Sequence, residues 1–185
     1  LIFKIYQYLL NPGNGTFHDL LLEFESFTAR AVKHTLEPLS SLDDPQVMHM
    51  LLRLCTAFCR VVHLLRGVPT IFCQGAIVEF DQAVRRAFSG GVGLLFSEAA
   101  WRQIRLPFAL GGAGLRSAAD HSSGAYLASV ANAAAADGWD ASEAEGWKEV
   151  ASDVCARTGW DAERVAAGET CDSEGGLPRH RPCFV

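Results

Sequence analysis

Apolar residues recur at helical spacing along most of the chain, and the breaks between runs fall at proline and glycine. After the opening "LIFKIYQYLL", the stretch "NPGNG" at 11–15 removes a backbone donor and offers positive-φ positions, so a new element must begin beyond it. Leu20, Leu21, Phe24, Phe27, Ala31 and Val32 then predict a helix over residues 17–37, with Pro38 as its stop. In "SSLDDPQV", Asp44 reads as an N-cap and Pro45 as the first helical residue. The helix predicted from there runs over 45–66 to Gly67, about 33 Å long. Its expected apolar face is Leu51, Leu54, Cys55, Phe58, Val62 and Leu65.

Pro69 and Thr70 open a further predicted helix through Phe88, with Ile77, Phe80, Val84 and Phe88 inward and Glu79, Asp81, Arg85 and Arg86 outward. It is expected to stop at "SGGVG". A short helix over 97–104 should follow, capped by Ser97 and anchored by Trp101. Residues 106–110 read as an apolar strand or extended segment, Gly111 to Gly114 as a tight joint, and 117–136 as an alanine-rich helix suited to close packing. Beyond it, "GWDA" occurs at 138–141 and again at 159–162, each copy reading as a helix start. Ser142 and Glu145 have capping-box spacing, and Trp147, Val150 and Val154 form a narrow stripe. From Gly168 the periodicity ends, and disorder is expected.

The fold class these patterns predict is mainly α: an irregular helical bundle over 17–136 with a Gly-rich joint. An apolar segment and turn (1–16) precede it, and an acidic tail (137–185), partly helical and then disordered, follows. With 185 residues, 49% of them hydrophobic, the chain is long enough for one domain with a core. The opening apolar run is too short to span a bilayer and lacks the marks of a signal peptide. A chain that opens on Leu1 without methionine is expected to be a piece of a longer product.

Charge changes this picture more than composition does. The net charge is −5, yet residues 45–120 carry eight arginines, no lysine and four acids, while residues 121–185 carry eleven acids against five bases. Only the middle could therefore face an anionic partner. Arg53, Arg60, Arg85, Arg86, Arg102, Arg105 and Arg116 could fork onto phosphate oxygens, or could simply cover a solvated helix surface. Six scattered cysteines read as reduced and the protein as intracellular.

The candidate chemistry is thin. The glycine clusters fail as phosphate loops, since Ser117 stands where a third dinucleotide-binding glycine belongs and no lysine follows. Cys55, Cys59 and His63, at i, i+4 and i+8, could present three donors along one helix face. They also lie among Leu51, Leu54, Phe58 and Val62, and without a second CxxC-type pair buried thiols packing as small apolar groups are the expectation. Asp43 and Asp44 precede a proline at a helix start, where capping explains them better than metal binding. No catalytic residue, metal site or cofactor is assigned.

The order of three segments is familiar, however. "DDPQVMHMLLRLCTAFCRVVHLLRGVP", "FDQAVRRAFS" and "WRQIRLPFALGGAGLRSAADHSSGAYLASV" together resemble the region downstream of the polymerase core in reverse-transcriptase-like proteins of non-LTR retroelements. Trp101, Gln103, Leu106, Gly111, Gly112, Gly114, Leu115, Arg116 and Ser117 match that family's W-x-Q-x-x-L-P and GG-x-G-[LI]-R-S motifs. Ala125, Tyr126, Leu127, Ala128 and Ser129 match its A-Y-L-A-S. Ala113 stands where the family often has leucine. The resemblance covers residues 43–130 and implies a thumb-like helical piece that braces a template-primer duplex of RNA or DNA beside the upstream polymerase region. The family's aromatic-x-Asp-Asp hairpin is not in this chain, so a non-catalytic fragment is expected. The rival reading is a helical protein-interaction module whose arginines are merely solvated.

Overall fold

Helix α1 (Phe17–Ala31) turns Phe24, Thr28 and Ala31 inward, with Leu21 and Phe27 half-buried beside them, as its apolar spacing requires. The buried Thr28 hydroxyl is satisfied locally, donating to the carbonyls of Phe24 (3.1 Å) and Glu25 (2.9 Å). The computed structural model to which α1 belongs describes residues 17–144 and 146–158. The opening apolar run, the "NPGNG" turn, Glu145, the second "GWDA" copy and the segment from Gly168 lie outside them. Among the described residues the architecture is helical, with no strand, in agreement with the mainly-α expectation.

Pro38 does not stop the first helix. A π-helical turn (Val32–Leu36) follows α1, with the Glu37 amide donating back to Val32, and a last turn α2 (Glu37–Leu39) carries the chain past the proline. The wider turn gives the pyrrolidine ring room that a regular α-helix denies it. Ser40 and Ser41 end the helix, their hydroxyls donating to the carbonyls of Glu37 and Pro38, each at 2.7 Å.

Asp44 caps α3 (Pro45–Leu51) as expected, its Oδ1 accepting from the amides of Gln46 (2.9 Å) and Val47 (3.1 Å). The helix predicted over 45–66 is not continuous. A second π-helical turn (Leu52–Thr56) ends at Ala57, whose ψ of −121° leaves the helical region, and α4 (Phe58–Leu65) starts afresh. Each residue advances a helix by about 100°, so one inserted residue moves the inward face by that much. Met48, Leu52, Thr56, Val61 and Leu64 are therefore buried, whereas Leu54 and Cys55, expected inside, are exposed. The stretch Pro45–Leu65 is also apolar and long enough to cross a membrane by composition. Here it is interrupted at Ala57 and supplies core residues on both sides of the break.

The central element is α5 (Thr70–Val92), which packs on α1 and α3 and on the later helix α7 (Ala118–Asp137). Ile77, Phe80, Val84 and Phe88 line its buried side as predicted. It also runs through Ser89, Gly90 and Gly91, where a stop was expected. Two glycines cost helix stability, but a Cβ at Gly90 would stand 3.1 Å from the Ser40 Cβ, and one at Gly91 would stand 2.6 Å from the Met48 Cε. Gly90 leaves room for Ser40, just past α2, against this end of α5, whereas Gly91 meets the flexible end of the Met48 side chain of α3. The actual stop is Gly93, left-handed at φ 70°, where the Leu94 amide folds back onto the Ser89 carbonyl.

Ser97 caps α6 (Glu98–Arg105), accepting from the Ala100 amide at 3.2 Å, and Trp101 packs beside Phe88 at 6.2 Å between ring centroids. Leu106, preceding Pro107, takes an extended ψ of 154° and ends the helix. After the glycine-rich turn, α7 starts at its cap Ser117 and lays Ala118, Ser122 and Ala125 against α4 and α5, the close approach its small side chains favour. Its second half turns Tyr126, Leu127 and Val130 toward α8 (Trp147–Thr158), where Trp147 and Val150 are buried and Val154 packs at the edge. The first "GWDA" copy works as a joint between them. Gly138 ends α7 at φ 73°, and Asp140 caps the 3-10 turn Ala141–Glu143 through the Ser142 amide at 2.8 Å.

Candidate nucleic-acid interface

Residues 106–117 join α6 to α7, and their amides decide what this turn can bind. Of residues 106–110, expected as a strand or extended segment, Leu106 and Pro107 are extended, while Phe108–Leu110 form a single 3-10 turn closed by Gly111 at φ 73°. The amides of Leu110 and Gly112 donate to Pro107, that of Ala113 to Ile104 and that of Gly114 to Leu106, all between 2.9 and 3.1 Å. The Gln103 side-chain amide donates to Leu110 at 2.9 Å. A phosphate cradle needs such N–H groups free to face an anion, and here they are spent on the chain's own carbonyls. Gly112 is required sterically, because a Cβ there would overlap the Leu106 carbonyl.

The turn is tied to the rest of the fold at two points that the sequence reading did not single out. His49 of α3 donates from Nε2 to the Ala113 carbonyl at 2.8 Å. Asp81 of α5, expected on the outward face, instead sits at the start of α7. It accepts from the Ser117 hydroxyl (2.5 Å) and from the amides of Ala118 (2.8 Å) and Ala119 (3.0 Å). A carboxylate at a helix N-terminus satisfies orphan donors and matches the dipole. Both ties span long sequence separations, so no local pattern marks them.

The seven candidate arginines divide into three groups. Arg85 is half-buried: it pairs with Glu98, donates to the Phe96 carbonyl at 2.6 Å and lies 5.7 Å over Trp101, so it braces α5 against α6. Arg105 pairs with Asp120 across the glycine-rich turn. Arg86 and Arg102 are exposed on α5 and α6. Arg53, Arg60 and Arg116 are exposed and each covers an aromatic ring: Phe108 at 4.4 Å, Phe27 at 5.7 Å and Phe58 at 5.9 Å. Arg53 also reaches Gly114, where its Nε lies 3.0 Å from the position a Cβ would take. Residues 53–58 thus run alongside 114–116, and Arg53 and Arg116 rise from the two sides of one seam. The structure does not gather all seven arginines. Arg53 stands against Gly114 and Arg116 over Phe58, so both belong to the contact between residues 53–58 and 114–116, while Arg105 is already paired.

His121 lies next to this seam, 5.1 Å from Phe58 by ring centroids, with Nδ1 donating to the Ser117 carbonyl at 2.9 Å. Burial, first, and then the Arg116 and Arg105 charges hold its pKa below the ordinary histidine value, against the opposing effects of the Ser117 hydrogen bond and Asp81. The unfolded chain therefore binds a proton here more readily than the folded one, and stability falls as pH drops below about 6.5. Urea unfolding at a series of pH values should show this decline, and it should be shallower in His121→Gln than in the parent chain.

The cysteine expectation requires correction. Cys55 and Cys59 are exposed rather than packed in the core, and the break at Ala57 separates them, so with His63 they do not form an i, i+4, i+8 row on one helix. Among the described residues no group of three or more His, Cys, Asp or Glu is placed to hold a metal. Among the described residues Cys73 is the buried thiol, its pKa pushed up to about 12 chiefly by burial. Compared with known proteins, the chain matches no family model, no curated protein and no solved structure.

Proposed function

We propose that this chain is a non-catalytic, helical piece of a reverse-transcriptase-like retroelement protein, which contacts the backbone of a nucleic-acid duplex through Arg53 and Arg116. The single observation that carries this reading is their placement at one seam. Each guanidinium lies over a ring and, among the described residues, neither makes an ion pair. A guanidinium supported on an aromatic face keeps its donor edge available to phosphate oxygens and loses little freedom on binding. The ordered match to the GG-x-G-[LI]-R-S motif, to which Arg116 belongs, supports the same assignment. The aspartate-bearing polymerase hairpin of that family is not in this chain, so the expected activity is binding alone.

Fluorescence anisotropy with an RNA–DNA hybrid should show affinity that falls as salt rises. In Arg53→Gln/Arg116→Gln the slope of log affinity against log salt should be smaller by about two phosphate contacts. An unchanged slope, or nucleotide incorporation by the purified chain in a primer-extension assay, would remove this reading. The rival, a protein-interaction module, is favoured by Val47, Met50 and Leu54, which are exposed along α3 and the turn after it. A chain that ignores nucleic acid at low salt but captures an apolar helix would support it.

A further inference from the structure

Phe108 is about half exposed, although it is the largest apolar side chain of the 3-10 turn, and the turn that carries it is fixed. Gln103 holds the Leu110 carbonyl, His49 holds the Ala113 carbonyl, and Gly112 fills a space that no side chain could share. His49 also meets the Phe108 ring edge-on at 6.1 Å between centroids. Arg53 covers one face of the ring at 4.4 Å, in space left open by the missing Cβ of Gly114. An exposed aromatic on a rigid turn, backed by a cation and eight residues before Arg116, which makes no ion pair among the described residues, has the parts of a site for single-stranded nucleic acid. A ring is there to stack on a base, and positive charge is there to follow the backbone.

We propose that Phe108, backed by Arg53, is a stacking platform for an unpaired base, so that the strand engaged at this seam is single-stranded where it crosses the glycine-rich turn. This rests on the nucleic-acid reading above and goes beyond it, because duplex phosphates alone would not need the ring. A ring already fixed in position loses no rotamer freedom when a base docks on it, and stacking is indifferent to base identity. Sequence-independent preference for base-bearing single strands is the consequence.

The test compares the full chain's binding to a short homothymidine oligonucleotide and to an abasic oligonucleotide of equal length, which carries the same phosphates without bases. The base-bearing strand should bind roughly tenfold more tightly. Phe108→Leu should bring the two strands to equal affinity, with any loss on the abasic strand no larger than in Arg53→Gln, since the ring also supports that guanidinium, and Arg116→Gln should weaken both strands alike. Helical circular dichroism and the urea midpoint of Phe108→Leu should match the parent, because the side chain is half exposed. Equal affinity of the parent for the two strands, with both lost in Arg116→Gln, would overturn the platform and leave the phosphate reading standing. Failure to bind either strand would overturn the platform, and failure to bind the RNA–DNA hybrid as well would remove both readings. If Phe108→Leu instead disperses a concentration-dependent dimer in sedimentation and leaves strand affinity unchanged, the ring is a protein contact and the proposal fails.

Discussion

Gly112→Ala should be among the most damaging single substitutions in the described part of the chain, costing at least about 3 kcal/mol. The added methyl would overlap the Leu106 carbonyl and crowd the Gln103 carbonyl at 2.7 Å, so its neighbours are backbone and not flexible side-chain ends. Relief requires the turn to open, and opening breaks the bonds from Ala113 to Ile104 and from Gly114 to Leu106. The Ala113 carbonyl would also leave His49. Gly93→Ala is the informative comparison. Gly93 has φ 70°, yet nothing stands within 4 Å of the Cβ position, so only the left-handed strain applies, about 1 kcal/mol. Urea denaturation of the two variants should separate them clearly. Equal midpoints would mean that the turn yields more easily than its geometry implies.

Removing the Asp81 carboxylate should cost roughly 3 kcal/mol, the effect of stranding charge-assisted hydrogen bonds at a helix start. In Asp81→Ala the amides of Ala118 and Ala119 lose their acceptor, and the Ser117 hydroxyl, which itself caps the Asp120 amide at 3.2 Å, loses its anchor. Asp81→Asn should be nearly as harmful despite its shape. Oδ2 accepts from both Ser117 and Ala119 while Oδ1 accepts from Ala118, so an amide group in either orientation points its own N–H at a donor. With an m-value of about 1–3 kcal/mol per molar urea, the midpoint should fall by at least about 1 M. A midpoint unchanged in Asp81→Asn would show that α7 starts without this tie. If α7 loosens, Arg116 moves with it, so the same variant should also bind nucleic acid more weakly.

Elements whose signals are local were legible in the chain. Asp44 before Pro45, Ser97 before α6 and Ser117 before α7 all cap where the residue types indicate, because a capping oxygen reaches only two or three residues along. The stripe of Ile77, Phe80, Val84 and Phe88 was equally plain, since α5 keeps a regular 3.6-residue period along it. The face of residues 45–66 was misread because a π-helical turn leaves no mark in residue type. The apolar period in "MHMLLRLCTAFCRVV" fits an uninterrupted helix, and it is the packing of Met48 and Leu52 on one side and Val61 and Leu64 on the other that selects the inserted residue.

The candidate site follows the same division. Arginine enrichment in the middle of the chain was visible in the sequence, but which guanidiniums are spent and which are not depended on Glu98 and Asp120 arriving from other elements. The glycines of residues 111–114 announced a turn, whereas the direction of their amides, which rules out a phosphate cradle, came from carbonyls at Ile104, Leu106 and Pro107. By itself the sequence determined that the described part of the chain is helical, where most of its helices start, and that positive charge is concentrated in one region. Caps, periodicity and residue charge act within a few residues of chain, and that range is what a sequence displays. Tertiary structure alone decided that Asp81 caps the start of α7, that His49 holds the turn, that Gly90 lies against Ser40 and that Arg53 lies against Gly114. Each of these depends on atoms dozens of residues apart brought within hydrogen-bond or van der Waals reach, where only packing fixes the distance.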